Sequence, residues 1–316
     1  MAKATIHPAS GQTVPAGAAA VAGSFLFWGV AAAYWKFLAH VDALEVVLHR
    51  VVWTAVLTAL LLAPRGRWRA VGAVFGSWRG AGRQLLSSAI IGGNWLTFVW
   101  AIHHERVVEC SMGYFICPLL SVLLGRGVLG ERLRRAQVVA ALLAGAGVAY
   151  LVIGYGRVPW VALTLAGTFG LYGLLRKTSP LESLPGLAAD MSVLAVPAAG
   201  WLAWAAAQGL GAAGRAGAST LLLLLAAGPV TACPLLLFAY GARRTRLSTV
   251  GFLHYLAPTC QLLLGVFAYG EPFDAAQAVT FALIWSGVAL FLFDAVRHRP
   301  RAAAPEALSP DAPAEG

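Results

Sequence analysis

Long apolar stretches, separated by short breaks that are rich in arginine, dominate this sequence. About 20 consecutive apolar residues span a bilayer core as an α-helix, and a window of similar length predicts ten spans. Their predicted bounds are 18–38, 44–63, 84–103, 107–129, 136–153, 158–176, 187–208, 219–241, 249–269 and 275–295. Only 11% of the residues are charged, whereas a soluble domain has roughly a quarter. The sequence therefore predicts an all-α, multi-pass integral membrane protein.

The distribution of basic residues predicts the direction of each span. If the N-terminus is cytoplasmic, 18 of the 23 lysines and arginines fall in cytoplasmic segments and 3 in outside loops. Lys36 and Arg50 lie within helices. Cytoplasmic loops are enriched in these residues, so both termini are predicted to be cytoplasmic. The same rule explains the net charge of +10 without a nucleic-acid partner. Residues 1–17 and 296–316 are predicted to be cytoplasmic tails, the second one disordered.

The two halves of the chain resemble each other. "CPLLSVLLGRGVLGERLRRAQ" aligns with "APTCQLLLGVFAYGEPFDAAQ" at a constant offset of 140, which pairs Pro118 with Pro258 and Glu131 with Glu271. Two five-helix repeats, 18–153 and 158–295, are therefore predicted. Because five is odd, the second repeat is inverted relative to the first. Inverted repeats that meet at the membrane midplane are typical of transporters that work by alternating access.

Motifs along the whole chain resemble the EamA family of the drug/metabolite transporter superfamily, and within it the RarD branch. In chain order they are "FWGVAAAYWK", "LHRVVW", "IGGNWLTFVWAI", "MGYFICPL", "GERLRRAQ", "YGLLRK", "RLSTVGFLHYLAPT", "YGE" and "TFALIW". The resemblance extends over residues 20–295 and implies a ten-helix permease of the bacterial inner membrane that exports small metabolites or drugs. The sequence departs from the branch at Cys117, where asparagine is usual, and at His254, where glutamine is common.

Three polar residues near the start of the second span are candidates for a substrate pathway. Glu45 and His49 are four residues apart and share a helix face, and Arg50 follows directly. Two interpretations stay open. The residues form a solvated helix end from which Arg50 reaches outward, or they line a cavity within the membrane. The resemblance at "LHR" favours the cavity. In that case Arg50 offers a carboxylate-bearing substrate a permanent positive charge, and His49 could couple transport to a proton gradient.

The third span supplies two further candidates. Asn94 places an amide well within the membrane, where it needs either a hydrogen bond to a neighbouring helix or a wet cavity. Its neighbour Trp95 lines a substrate path or anchors the helix at the membrane interface.

The last candidates surround the two aligned prolines. Pro118 and Pro258 each remove a backbone hydrogen bond from a predicted helix, and paired interruptions indicate a transporter binding region. Tyr114, His254 and Tyr255 lie within one turn of them. Each of these three side chains either contacts substrate or packs between helices.

Other chemistry has little support in the sequence. We find no P-loop, no nucleophile elbow, and no histidine, cysteine or carboxylate spacing that is typical of a metal site, so no cofactor, metal or catalytic residue is predicted. The predicted partners are a small-molecule substrate and the lipid bilayer. The leading hypothesis is a secondary transporter, and the alternative is an integral-membrane enzyme that acts on a lipid or isoprenoid.

Overall fold

The computed structural model describes residues 14–104, 106–212, 217–270 and 273–298. These residues are almost entirely helical, and they contain no strand. The helices are α1 (Val14–Lys36), α2 (Ala43–Leu62), α3 (Trp68–Phe75), α4 (Trp78–His103), α5 (Val107–Gly127), α6 (Arg135–Tyr155), α7 (Trp160–Thr178), α8 (Ser183–Ala207), α9 (Ala218–Arg244), α10 (Leu247–His254), α11 (Leu256–Leu263) and α12 (Ala275–Arg297).

Nine segments in this part of the chain are long and apolar enough to cross a membrane. They are α1, α2, α4, α5, α6, α8, α9, the combined α10–α11 segment and α12. The remaining predicted span corresponds to α7, a helix of 19 residues whose last turn holds Arg176 and Lys177. The prediction of an all-α membrane protein is confirmed. The count of ten spans stays a prediction.

The structure differs from the predicted spans in three places. Helix α3 lies in the segment 64–83, which was predicted to be a connection between two spans. The sequence did not predict this helix, because its mixture of tryptophan, arginine and small residues does not form an apolar window. Helix α1 begins at Val14, inside the predicted N-terminal tail. The ninth span is broken at Tyr255, whose N–H bonds to the Phe252 carbonyl three residues back. Because Pro258 has no N–H, the regular bond to His254 is missing there.

Contacts between connecting segments agree with the predicted sides of the membrane. At the end predicted to be outside, the Lys36 ammonium lies 3.0 Å from the centre of the Tyr269 ring, and His40 bonds to Thr220 at 2.9 Å. At the opposite end, Lys177 donates to the carbonyls of Ala242 and Thr245. Segments assigned to the same side therefore meet each other.

The helices pair in a pattern that is unchanged when the two halves are exchanged. The pair α1–α9 corresponds to α7–α4, and α2–α9 corresponds to α8–α4. The packing of α5 on α7 corresponds to that of α10 and α11 on α1, whereas α2–α8, α5–α10 and α6–α12 correspond to themselves. This is the pairing expected of two repeats related by a two-fold axis.

Two aligned glycines show the same relation at atomic detail. A Cβ at Gly147 would lie 2.9 Å from the Thr280 carbonyl oxygen, and one at Gly287 would lie 2.5 Å from the Ala140 carbonyl oxygen. Gly147 aligns with Gly287, and Ala140 aligns with Thr280, at the offset of 140 found in the sequence. Helices α6 and α12 therefore cross through reciprocal glycine contacts. The turn glycines Gly130 and Gly270, also aligned, have φ of 66° and 68°, which is why glycine occupies both turns.

Candidate functional site

The start of α2 is tied to the turn that follows α8. Asp42 caps the helix by accepting hydrogen bonds from the N–H groups of Leu44 and Glu45 at 2.9 and 3.2 Å. The Glu45 carboxylate in turn accepts from the Ala212 N–H at 2.7 Å. Glu45 is buried. It therefore links the first half of the chain to the second and is not solvated.

His49 is buried one turn further along α2. Its Nδ1 accepts a hydrogen bond from Trp53 Nε1 at 3.1 Å, which places the proton of the neutral imidazole on Nε2. That Nε2 atom is buried, lies 3.7 Å from Glu45 Oε1 and makes no hydrogen bond to the described residues. One nitrogen of this ionisable ring is thus held by a hydrogen bond, and the other has no hydrogen-bond partner among the described residues.

Arg50 projects among side chains from three other helices. Its guanidinium carbon lies 4.7 Å from the ring centre of Trp35 on α1 and 4.7 Å from that of Trp95 on α4. Its Nε donates to Thr231 Oγ1 on α9 at 3.1 Å. Two aromatic faces stabilise the cation within the membrane. These contacts hold Arg50 between the helices, in contrast to an arginine that reaches outward to solvent.

The remaining hydrogen-bond donors of Arg50 have no protein partner. Within the described chain, neither Nη atom donates a hydrogen bond and no carboxylate lies at ion-pair distance. The nearby polar side chains are Tyr34 and Tyr114, which are close enough to interact with it electrostatically. Of the predicted site residues, the structure therefore brings Arg50, Trp95 and Tyr114 together, with Glu45 and His49 on the adjacent turns.

Asn94 belongs to a different contact. Its side-chain N–H group donates to the Leu165 carbonyl at 2.9 Å and to Thr168 Oγ1 at 2.8 Å. Both acceptors lie on α7, so Asn94 joins α4 to α7. Helix α7 also contributes Phe169 to a cluster of aromatic side chains.

His254 lies in a cluster of aromatic side chains where the two repeats meet. Its ring stacks on Phe25 with centres 4.2 Å apart and lies 5.5 Å from Phe169. Trp28 packs edge-on against Phe169 at 5.8 Å. Phe25 and Phe169 are equivalent residues at the offset of 144 that relates α1 to α7.

The aligned prolines lie on α5 and α11, and their effects differ. Helix α5 continues through Pro118, whereas the backbone is interrupted near Pro258. The expectation of two matching interruptions is wrong, because only the second proline coincides with a break. Tyr255 is buried there and donates to the Phe115 carbonyl at 3.3 Å. Tyr255 thus joins α5 to the break between α10 and α11, and the Pro118 carbonyl packs against Gly251 of α10.

A second polar cluster was missed by the sequence analysis. Arg176, counted there as a residue of a cytoplasmic segment, is only 1% exposed and lies 3.5 Å from Asp190 on α8. Asp190 also accepts hydrogen bonds from Gln84 at 2.5 Å and from the Tyr172 hydroxyl at 3.2 Å. Its position in the apolar run "LPGLAADMSVLAV" was an available signal, because an acidic residue within a span normally has a specific partner.

The glycine-glutamate pair of the first repeat has a definite role in the structure. Glu131 accepts hydrogen bonds from the N–H groups of Leu247 and Ser248 at 2.6 and 3.0 Å, and from the Ser248 hydroxyl at 2.7 Å. Those N–H groups begin α10 and would otherwise have no partner. Glu131 therefore fastens the end of α5 to the start of α10, at the end predicted to be cytoplasmic. Its counterpart Glu271 lies outside the described residues.

Comparisons with known proteins agree with this architecture. Residues 15–153 match the EamA-like transporter family. The chain is 40% identical over 282 residues to Protein RarD of Streptomyces exfoliatus, covering 89% of this chain and 90% of that one. It is 42% identical over 274 residues to an uncharacterized transporter of Vibrio cholerae, covering 87% and 91% of the two chains. A solved crystal structure at 20% identity has a TM-score of 0.71 over 90% of this chain and 100% of that one, and so shares the fold.

Proposed function

Since the chain belongs to the EamA-like transporter family, we propose that this membrane transporter is a secondary exporter of small metabolites or drugs that works by alternating access. We further propose that its substrates carry a carboxylate or another anionic group. Both proposals rest on side-chain contacts among the described helices.

The observation that carries the proposal is the environment of Arg50. A half-buried cation without a carboxylate partner is costly within a membrane. Here it is held by Trp35, Trp95 and Thr231 while both Nη atoms lack a hydrogen bond to the described protein. An anionic substrate would supply the missing acceptors, and charge-assisted bidentate pairs are the strongest hydrogen bonds of this kind. The two indole rings favour a substrate that also has an apolar or aromatic body.

The reciprocal packing of the two halves supports alternating access. The same helix pairs recur when the halves are exchanged, as expected of a protein with two related ways to close. Glu131 fastens one end through Ser248. His49, with one ring nitrogen unpaired beside Glu45, is the group that we assign to proton coupling.

A growth screen tests this function. A strain that overexpresses the chain is grown with a panel of antibiotics and metabolites, arranged as pairs of a carboxylate and its neutral amide or ester. We expect protection against carboxylates and none against their neutral partners. A hydrogen bond to a charged group contributes about 1.5–3 kcal/mol, so Arg50→Gln should lower the rate at subsaturating substrate at least about tenfold.

Arg69→Gln is the matched control, because Arg69 is exposed on α3. Membrane abundance of both variants is measured by immunoblot. Equal protection by Arg50→Gln and by the unmodified protein, at equal abundance, would contradict the role of Arg50. Protection by Arg69→Gln should be unchanged.

A further inference from the structure

A pocket of about 410 Å³ lies between α3, the first turns of α4 and the last turn of α7. It is separate from the Arg50 region and sits at the end predicted to be cytoplasmic. Its volume is within the range of about 300–1,000 Å³ that is usual for small-molecule sites. Most of its wall is aliphatic, and its polar wall includes Arg83, Gln84, Ser87 and Arg176.

Buried polar atoms in this wall lack hydrogen-bond partners. Arg176 Nε is buried and makes no hydrogen bond to the described residues. The other donors of Arg176 make only long contacts, 3.5 Å to the Glu182 carbonyl and 3.5 Å to Asp190. The Ser87 hydroxyl lies near Asp190 without a hydrogen bond of normal geometry. Buried polar groups are normally satisfied, so this wall is incomplete without a ligand.

The positive charge around the pocket favours an anionic ligand. Arg83 and Arg176 belong to the wall. Arg243 stands behind it and donates to the Ser179 carbonyl at 2.6 Å. The nearby acidic groups are already engaged and fewer than the arginines, since Asp190 pairs with Arg176 and accepts from Gln84, and Glu182 pairs with Arg67 at 2.5 Å. The local balance is therefore positive.

The surroundings of the pocket point to a lipid as the source of that anion. Helix α3 and the start of α4 expose Trp68 at 41%, Phe75 at 40% and Trp78 at 81%. Exposed tryptophans of this kind anchor a protein at the membrane interface, and basic pockets between helices on the cytoplasmic side bind anionic headgroups. A free phosphate would leave the aliphatic wall, including Ala73, empty.

We propose that this pocket binds the headgroup of an anionic phospholipid. The phosphate lies against Arg83 and Arg176, and the glycerol and upper acyl carbons lie against Ala73 and the aliphatic wall. This proposal is independent of the transported substrate.

Native mass spectrometry of the full chain in detergent tests it. The purified protein is incubated with dioleoyl phosphatidylglycerol or with dioleoyl phosphatidylcholine, and the retained lipid is counted. We expect selective retention of phosphatidylglycerol. Arg83→Gln should lower it about fivefold, the factor expected for one interfacial arginine. Ala73→Leu should lower it by filling the pocket, and both substitutions are at exposed residues, so folding should be preserved.

Arg79→Gln is the matched control, because Arg79 is exposed on the same helix and does not line the pocket. Its retention of phosphatidylglycerol should equal that of the unmodified protein. Equal retention of the two lipids, or no loss in Arg83→Gln and Ala73→Leu, would overturn the proposal. Displacement of phosphatidylglycerol by millimolar inorganic phosphate would show a free-anion site and would also overturn it.

Discussion

Replacing Gly287 with alanine tests the reciprocal crossing of α6 and α12. The new Cβ would lie 2.5 Å from the Ala140 carbonyl oxygen, which is 0.9 Å inside the 3.4 Å limit of ordinary contact. At the aligned Gly147 the corresponding shortfall is 0.5 Å, against the Thr280 carbonyl. Backbone oxygens cannot rotate away, so the helices must separate by similar distances. A gap of about 0.5–1 Å removes a quarter to a half of the van der Waals energy of the contacts between the two helices.

Overpacking of this kind costs about 1–3 kcal/mol, and the better helix propensity of alanine offsets up to about 1 kcal/mol. We therefore expect Gly287→Ala to lower the free energy of unfolding by about 1–2 kcal/mol, and Gly147→Ala to lower it by less. Equilibrium unfolding in mixed detergent micelles measures both. Gly145→Ala on α6 is the control, because its Cβ would meet nothing within 4 Å, and it should not destabilise. A Gly287→Ala protein as stable as the unmodified chain would refute the crossing.

Three further substitutions or labels give separate tests. Gly186→Ala would place a Cβ 1.6 Å from Arg176 Nη2 and displace the guanidinium from Asp190. The free energy of unfolding should therefore fall by about 3 kcal/mol or more, whereas Gly200→Ala, on the same helix with open space around it, should leave it unchanged. His49→Gln should flatten the pH dependence of flux, because it removes the titratable ring that we assign to proton coupling, and an unchanged pH profile would exclude His49 from coupling. Tags inserted at Gly80 and at the C-terminus should report the cytoplasm, and one at Gly214 should report the outside; a cytoplasmic Gly214 would contradict the inverted repeat.

The helices could be predicted because hydropathy is a local property of the chain. Nine predicted spans recur with ends shifted by a few residues, and the break at Tyr255 lies just before the proline that the sequence had marked. Helix α3 could not be found in this way, since eight residues that include Arg69 and follow Arg67 do not form an apolar window.

The candidate site was predicted less completely, because its contacts join distant parts of the chain. The sequence identified Arg50 and Trp95 but gave no reason to pair them with each other, or with Trp35 and Thr231. Those partners come from three other helices, and their approach depends on packing that no single segment specifies.

The sequence analysis placed Arg176 on the wrong side of the distinction between solvated and buried residues, since it pairs with Asp190 inside the protein. Loop counting treated Arg176 as solvated because it lies near a helix end, where basic residues are common. Its burial depends on α8, in which Gly186 leaves room for the guanidinium. The acidic residue within an apolar run was the stronger signal, because such a residue normally pairs with a specific basic or polar partner.

The most direct test of the account is the fate of a substrate in liposomes that contain only the purified chain. A carboxylate identified by the growth screen is loaded inside, and mass spectrometry follows its chemical form and its appearance outside. We expect saturable flux of the unchanged compound, with Arg50→Gln at least about tenfold slower and Arg69→Gln unaffected. Conversion of the compound into a product without flux would contradict the transporter and would favour a membrane enzyme.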